Sequence, residues 1–223
     1  MKKILVTGCG GQVGTELVAH LRGLYGDANV MASDFRAQEG HSGPFALLDV
    51  RDGKAVAALL DSFKPDTVMH LAGILSARGE ERPQQLWETN TGGTYNMLEA
   101  ARERGCAVFF PSSIAAFGPG TPADRTPQDT IQRPTTIYGV SKVTGELLGE
   151  YYHLKYGLDV RGVRFPGLIS YEALPGGGTT DYAVHIYYEA RARGRYTSYI
   201  GAGSFMDMMY MPDALDAVVH LME

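Results

Sequence analysis

The chain has 223 residues, of which 44% are hydrophobic and 20% charged, and this ordinary globular composition argues against a disordered or fibrous protein. The formal net charge of -5, without a block of like charges, argues against nucleic acid or an anionic membrane as the main partner. No apolar stretch reaches the roughly 18 to 20 residues that span a bilayer, and the opening MKKILVTGCGG soon runs into glycines, unlike a signal peptide. We therefore expect a cytoplasmic protein whose partner is a small molecule.

Short apolar runs alternate with longer segments of helical spacing. Strands are predicted at 3–7, 29–33, 67–71, 107–110 and 160–165, and helices at 12–25, 54–63, 84–104 and 138–156. Continuous apolar strands separated by helices are typical of a parallel sheet covered on both faces. The predicted fold class is therefore α/β, a Rossmann-like doubly wound parallel sheet.

The pattern changes after Phe165. The segment PGLISYEALPGGGTTD is rich in glycine and turn residues, and we expect such a loop to carry function. A helix at 182–193, a strand at 196–200 and a short helix at 212–222 are predicted to follow. The two cysteines, Cys9 and Cys106, have no CxxC or Cys/His spacing, so neither a disulfide nor a metal site is predicted.

A glycine-rich loop, TGCGGQVG at residues 7–14, joins the first predicted strand to the first helix. In its GxxGxxG spacing the first glycine allows a tight turn, the second lets backbone N–H groups approach a pyrophosphate, and the third lets the helix pack on the strand. A tight turn without a ligand is the alternative. Asp34 ends the second strand about 20 residues later, where a carboxylate accepts hydrogen bonds from ribose hydroxyls and repels a 2′-phosphate. The sequence therefore predicts NAD rather than NADP, with Arg36 as a solvated neighbour.

Two later segments add cofactor contacts to this loop. Asp49 in LLDVRD is predicted to bind the adenine amino group or, alternatively, to cap the helix that begins near Lys54. The next strand ends in HLAG, whose small residues let backbone lie close to a cofactor, while His70 itself is predicted to be structural. The predicted contacts at this stage are Gly8, Gly11, Gln12, Val13, Asp34, Leu48, Asp49, Val50, Leu71, Ala72 and Gly73.

Tyr138 and Lys142 have YxxxK spacing, which places both side chains on one face of a helix. Tyrosine is a poor base at neutral pH, and a nearby ammonium is expected to lower its pKa. YxxxK alone occurs by chance in many helices. Here it follows a strand that ends in PSSIAAFG and offers the Ser113 hydroxyl, helped by Ser112, at the edge where α/β sheets bind ligands.

This order of glycine loop, serine, tyrosine and lysine resembles the extended short-chain dehydrogenase/reductase family. The TGxxGxxG loop, Asn90 within ETNTGGTYNMLEAA, and SSIAAFG carry the resemblance over residues 1–165. It implies that Asn90 supports the catalytic helix and contacts the cofactor, the alternative being a helix cap. It also implies that Tyr138 and Lys142 contact the nicotinamide ribose and that Pro166 lies beside the nicotinamide.

Within this family, the segment RFPGLIS lacks the asparagine of the RxxNVYGP-like segment that sugar-nucleotide epimerases and dehydratases carry. The stretches PGLISYEALPGGGTTDYAVHIYYEA, YTSYI and MDMMYMPDALDAVVHLME instead resemble the L-threonine 3-dehydrogenases. That resemblance implies oxidation of L-threonine at C3 to 2-amino-3-oxobutanoate, with hydride passing to NAD and Tyr138 as general base. The implied substrate contacts are Ser76, Ser113, Tyr138, Gly178, Thr179, Thr180 and Asp181.

The remaining expectations concern the PGGGTTD segment, the domain boundary, the oligomeric state and the alternative functions. The PGGGTTD segment has an alternative role as a turn that caps the next helix. Residues 1–165 are expected to form the NAD-binding domain with Ser, Tyr and Lys, and residues 166–223 a small, apparently truncated substrate-binding part. By resemblance, helices 84–104 and 138–156 form a homodimer interface. A sugar-nucleotide epimerase or dehydratase and a non-catalytic NAD-sensing module remain alternative functions.

Overall fold

The predicted alternation of strands and helices forms one parallel sheet. The computed structural model describes residues 1–38, 42–172, 174, 176 and 178–223. Six strands pair in the order β3-β2-β1-β4-β5-β6, and every pairing is parallel. These strands are β1 Ile4–Thr7, β2 Val30–Asp34, β3 Phe45–Leu47, β4 Thr67–His70, β5 Ala107–Ser113 and β6 Val160–Phe165. The order reverses between β1 and β4, so a ligand crevice is expected at their carboxyl ends. The doubly wound fold class is confirmed.

Helices cover both faces of this sheet. The helices are α1 Gln12–Tyr25, α2 Gly53–Phe63, α3 Ser76–Glu81, α4 Pro83–Leu86, α5 Gly93–Arg104, α6 Ile137–Tyr156, α7 Tyr182–Arg193 and α8 Met211–Met222. One core cluster joins β1 and β2 to α1 and α8, and a second joins β1 and β4 to α2, α5 and α6. Within the described ranges, no helix has both the length and the apolar character needed to cross a membrane.

The helix predicted at 84–104 contains a π-helical segment. A π-helical turn, Trp87–Gly92, separates α4 from α5. Such turns widen the helix locally and are frequent at functional sites, and this one contains Asn90. A helix over this range was predicted correctly, but the spacing of apolar residues did not reveal the π-helical segment within it.

The strand predicted at 196–200 is also wrong. These residues are irregular and mostly exposed, and no strand pairs with them. A short strand instead forms at β8 Met208–Tyr210, which pairs in parallel with β7 Gly167–Ile169. Pairing with β7 decided which segment became a strand, and the local sequence could not reveal that distant contact. The helix that follows β8 was predicted correctly within one residue.

Candidate functional site

The glycine loop is a tight turn packed against the neighbouring strand. Gly8 has φ +69°, and a Cβ there would lie 2.7 Å from the backbone nitrogen of Ala72. A Cβ on Gly14 would lie 2.2 Å from the carbonyl oxygen of Gly8. The first and third glycines therefore have the steric roles that the sequence predicted, and α1 begins at Gln12 within the loop.

Two polar groups, one beside this loop and one in it, suit a dinucleotide. The Asp34 carboxylate is buried at the end of β2 and accepts hydrogen bonds from the backbone N–H of Gly10 (3.0 Å) and of Arg36 (3.2 Å). The Arg36 guanidinium lies over the Phe35 ring, 4.7 Å from its centroid. The Gln12 Nε2 is buried and has no hydrogen-bond partner among the described residues, so it could donate to a phosphate oxygen.

Asp49 forms an ion pair with Arg51 and does not cap α2. The guanidinium donates to both carboxylate oxygens, with the Nε at 3.0 and 3.1 Å. These hydrogen bonds hold the pKa of Asp49 below its usual value. Asp52 caps α2 instead, accepting from the backbone N–H of Lys54 (3.0 Å) and of Ala55 (3.1 Å). The capping alternative for Asp49 was therefore wrong. The flanking Leu48 and Val50 are buried in the core.

The segment after β4 is held by His70 and Asn90. The buried His70 ring contacts the Thr7 hydroxyl at 3.0 Å, and burial lowers the pKa of His70 to about 4, so the ring is neutral at pH 7. This agrees with the predicted structural role. Asn90 accepts from the backbone N–H of Ile74 (2.7 Å), donates to its carbonyl (3.0 Å) and reaches the Ser141 hydroxyl at 3.4 Å. Asn90 therefore links the loop that contains Leu71, Ala72 and Gly73 to α6 and caps no helix.

Ser113, Tyr138 and Lys142 come together at the carboxyl end of β5. The Lys142 ammonium donates to the Pro111 carbonyl (2.7 Å) and lies 5.2 Å from the centroid of the Tyr138 ring. Burial raises the pKa of Tyr138 to about 12, although a hydrogen bond from Ser113 acts in the opposite direction. Burial lowers the pKa of Lys142 to about 8. The expected lowering of the tyrosine pKa is thus not found, because desolvation of Tyr138 outweighs the hydrogen bond from Ser113.

Ser112 does not face the same side of β5 as Ser113. Successive side chains of a strand point to opposite faces, and the buried Ser112 hydroxyl donates to the Glu146 carboxylate. The same carboxylate accepts from Gln132 (2.9 Å) and from Arg164 (2.8 Å). Sequence reasoning missed this network, although the four-residue spacing of Lys142 and Glu146 on one helix was a signal for it.

The last predicted site residues are Ser76 and a group that follows β6. Pro166 separates β6 from β7, and Ser76 is the first residue of α3. In the loop before α7, the Asp181 carboxylate accepts from the backbone N–H of Gly178 (2.8 Å), and the Thr179 carbonyl accepts from the Tyr199 hydroxyl (3.3 Å). Asp181 stands at the N-cap position of α7 without a capping side-chain bond, so it closes the turn instead. Pro175 and Gly177 of this segment lie outside the described residues.

Burial of Lys142 predicts a measurable cost in stability. We expect Lys142→Met to raise the free energy of unfolding at pH 7 by about 1 to 2 kcal/mol, because the wild-type fold must desolvate an ammonium. The pKa of Lys142 falls from 10.5 in the unfolded chain to about 8 on folding, so wild-type stability rises as the pH increases through this window. Urea unfolding at several pH values should show the advantage of the variant shrinking between pH 8 and 10.5. An advantage that does not change with pH would contradict this explanation.

Comparison with known proteins places this geometry in a family. The model of the NAD dependent epimerase/dehydratase family matches residues 4–223. The chain belongs to this family. Membership of this epimerase/dehydratase family confirms the predicted cofactor, NAD. An uncharacterized epimerase/dehydratase of Staphylococcus haemolyticus is 56% identical over 227 residues, which cover all of this chain and 71% of the relative.

The solved structures similar to this chain include L-threonine dehydrogenases at high sequence identity and a UDP-glucose 4-epimerase at lower identity. An L-threonine dehydrogenase from Clostridium difficile is 56% identical to this chain, with a TM-score of 0.97. The match covers 100% of this chain and 71% of the dehydrogenase. The L-threonine dehydrogenase from Phytophthora infestans is 50% identical, with a TM-score of 0.96, and the match covers 100% of this chain and 72% of that enzyme. A UDP-glucose 4-epimerase from Thermotoga maritima is 26% identical, with a TM-score of 0.88, and the match covers 99% of this chain and 73% of the epimerase. The predicted resemblance to L-threonine 3-dehydrogenases is therefore confirmed.

Proposed function

We propose that this chain catalyses the NAD-dependent oxidation of L-threonine at C3 to 2-amino-3-oxobutanoate. The observation that carries the proposal is the convergence of Ser113, Tyr138 and Lys142 in a chain 56% identical to a solved L-threonine dehydrogenase. When bound, NAD would accept the hydride. Asp34 and the glycine loop would hold its adenosine and pyrophosphate ends, and the Gln12 Nε2 supplies a donor there.

The protein groups act on the proton and on the orientation of the substrate. In the proposed reaction, the Tyr138 oxygen takes the proton of the C3 hydroxyl, Ser113 donates a hydrogen bond to the substrate oxygen, and the Lys142 ammonium stabilises the phenolate. Pro166 would lie beside the nicotinamide. Asn90 would support α6 through its bonds to the loop after β4. The raised pKa of Tyr138 makes this help necessary, because an isolated phenol of that pKa is almost fully protonated at pH 7.

The loop at 178–181 is proposed to recognise the amino and carboxylate groups. Asp181 is the proposed partner of the ammonium, Gly178 allows close backbone approach, and the hydroxyls of Thr179 and Thr180 serve the carboxylate. Ser76 is proposed to line the same pocket. The support is the position of the loop between β7 and α7, beyond the carboxyl end of β6. Residues 1–165 would then be the cofactor-binding part and residues 166–223 the substrate-binding part.

The direct test of this proposal is NADH formation by the purified protein. L-threonine with NAD should give a steady rise in NADH absorbance, whereas D-threonine and 2-butanol should give little, because each leaves polar groups of the site unpaired. Interconversion of UDP-glucose and UDP-galactose with tightly retained NAD would favour the epimerase alternative instead. NAD binding without turnover of any substrate would favour a sensor.

Cofactor preference tests the role of Asp34. We expect kcat/KM to be at least about 100-fold higher with NAD than with NADP, since a 2′-phosphate would face the Asp34 carboxylate. Asp34→Ser should lower the ratio of kcat/KM with NAD to kcat/KM with NADP. Arg36→Ala should leave it nearly unchanged, because that guanidinium lies over Phe35. Equal use of both cofactors by the wild-type protein would contradict the assignment.

We also propose that the chain forms a homodimer through α5 and α6. The exposed apolar side chains of these helices include Tyr95, Leu147, Tyr151 and Leu154. Such a strip of apolar groups favours burial against a second copy. Sedimentation equilibrium should give the mass of a dimer, and Leu147→Glu combined with Leu154→Glu should give a monomer. A monomeric wild-type protein would contradict the proposal. The cytoplasmic location stays a prediction.

A further inference from the structure

Glu146 lies at the meeting point of the elements that carry the candidate catalytic groups. It follows Lys142 by four residues, so both side chains lie on the same face of α6. Its carboxylate accepts from Ser112 at the end of β5 and from both the Nε (3.0 Å) and the Nη2 (2.8 Å) of Arg164 on β6. One carboxylate thus joins α6 to the strand that carries Ser113 and to the strand beside it.

The Glu146 carboxylate remains charged in this setting. Burial acts to raise its pKa, but hydrogen bonds from Arg164, Ser112 and Gln132 together hold the pKa below its usual value. Arg164 is itself held by the Gln128 carbonyl (3.0 Å) and by the face of the Phe117 ring (5.3 Å). The ion pair is therefore fixed on several sides and is mostly shielded from solvent, with about 20% of each side chain exposed.

Lys142 needs a negative charge nearby. Its direct hydrogen bond goes to a neutral carbonyl, that of Pro111, and its remaining titratable neighbours are Tyr138 on α6 and His70 on β4. His70 is neutral at pH 7, and Tyr138 carries a charge only after losing its proton. The charge of Glu146 opposes the effect of burial on the pKa of Lys142.

We propose that Glu146 is a positioning residue for the reaction: its carboxylate clamps β5 to α6, and its charge supports the Lys142 ammonium. Through the clamp, Ser113 on β5 keeps its place relative to Tyr138 and Lys142 on α6. Through the charge, Lys142 keeps its proton to a higher pH than burial alone would allow. The catalytic consequence rests on the proposed threonine oxidation, whereas the effect on Lys142 does not.

The test compares Glu146→Gln with Glu150→Gln, which removes the same charge from an exposed position one turn later on α6. Lysine labelled with carbon-13 at the ε carbon is incorporated into the ligand-free protein, and the resonance missing in Lys142→Met identifies Lys142. Glu146→Gln should lower the titration midpoint of Lys142 by about half a pH unit or more, whereas Glu150→Gln should leave it unchanged. Glu146→Asp, which keeps the carboxylate, should have a Lys142 midpoint close to that of the wild type. Equal midpoints in the wild type, Glu146→Gln and Glu150→Gln would overturn the charge role.

Turnover provides the second readout. In Glu146→Gln the alkaline limit of the kcat profile should move to lower pH, in parallel with the Lys142 midpoint. Ser112→Ala tests the clamp even if Glu146→Gln does not fold: it should lower kcat several-fold without moving the Lys142 midpoint, and an unchanged kcat would overturn the clamp. If Glu146→Gln lowers the Lys142 midpoint but the wild-type protein does not oxidise L-threonine, the proposed substrate is contradicted and the charge role of Glu146 is retained.

Discussion

Tyr138→Phe should lower kcat for L-threonine oxidation by about 10²- to 10⁴-fold, because it removes the group that accepts the hydroxyl proton. The affinity for NAD, measured by fluorescence titration, should stay almost unchanged, since the ring remains and only one oxygen is lost. Tyr156→Phe, at the exposed end of the same helix, is the matched control and should keep wild-type turnover. Near-normal turnover by Tyr138→Phe would contradict the assignment of the base.

The pH profile of the wild-type enzyme follows from the same group. The pKa of Tyr138 is raised to about 12 in the ligand-free protein, so the phenolate fraction grows as the pH rises from neutral to alkaline. Turnover should therefore increase from neutral pH until Lys142, whose pKa is about 8 in the ligand-free protein, loses its proton. A flat profile would mean that Tyr138 does not limit the reaction.

Gly14→Ala should lower the free energy of unfolding by about 3 kcal/mol, because the new methyl group meets atoms that cannot move aside. The Cβ at position 14 would lie 2.2 Å from the Gly8 carbonyl oxygen and 2.7 Å from the Cys9 Cα. Both are backbone atoms of the glycine loop. Gly23→Ala lies on the same helix with nothing within 4 Å of the new Cβ. This control should gain about 0.5 to 1 kcal/mol, since alanine is the better helix former.

Urea denaturation of the two alanine variants measures both effects in one experiment. Gly14→Ala should also weaken NAD binding, because α1 must move away from the glycine loop at its N-terminus, whereas Gly23→Ala should bind NAD normally. Equal stability of the two variants would contradict the packing role of Gly14.

Local sequence patterns were sufficient to predict the features that depend on nearby residues. The apolar runs and glycine spacing placed β1, the loop and α1, and the sequential order of strands and helices predicted the doubly wound sheet. The distance from Gly14 to Asp34 correctly placed an acid beside the loop, where Asp34 accepts from the Gly10 N–H. These features follow from side-chain periodicity and from the backbone freedom of glycine, both of which can be read along the chain.

Features that depend on distant contacts could not be predicted in this way. The pairing of β8 with β7 replaced the strand expected at 196–200. The cap of α2 was missed for a local reason: Arg51 binds Asp49, and Asp52 caps the helix. The pKa of Tyr138 depends on how far the folded chain removes it from water, and YxxxK spacing carries no information on burial. The role of Ser112 likewise depended on Arg164 and Glu146, which come from two other elements.

The most direct test of the central claim follows the hydrogen at C3 of the substrate. L-threonine that carries deuterium at C3 is incubated with NAD and the purified protein, and the cofactor and product are analysed by mass spectrometry. The account predicts NADH that carries the deuterium at C4 of the nicotinamide, formed in equal amount to 2-amino-3-oxobutanoate or its decarboxylation product. Absence of deuterated NADH from this reaction, with the protein folded and NAD bound, would contradict the proposed threonine oxidation.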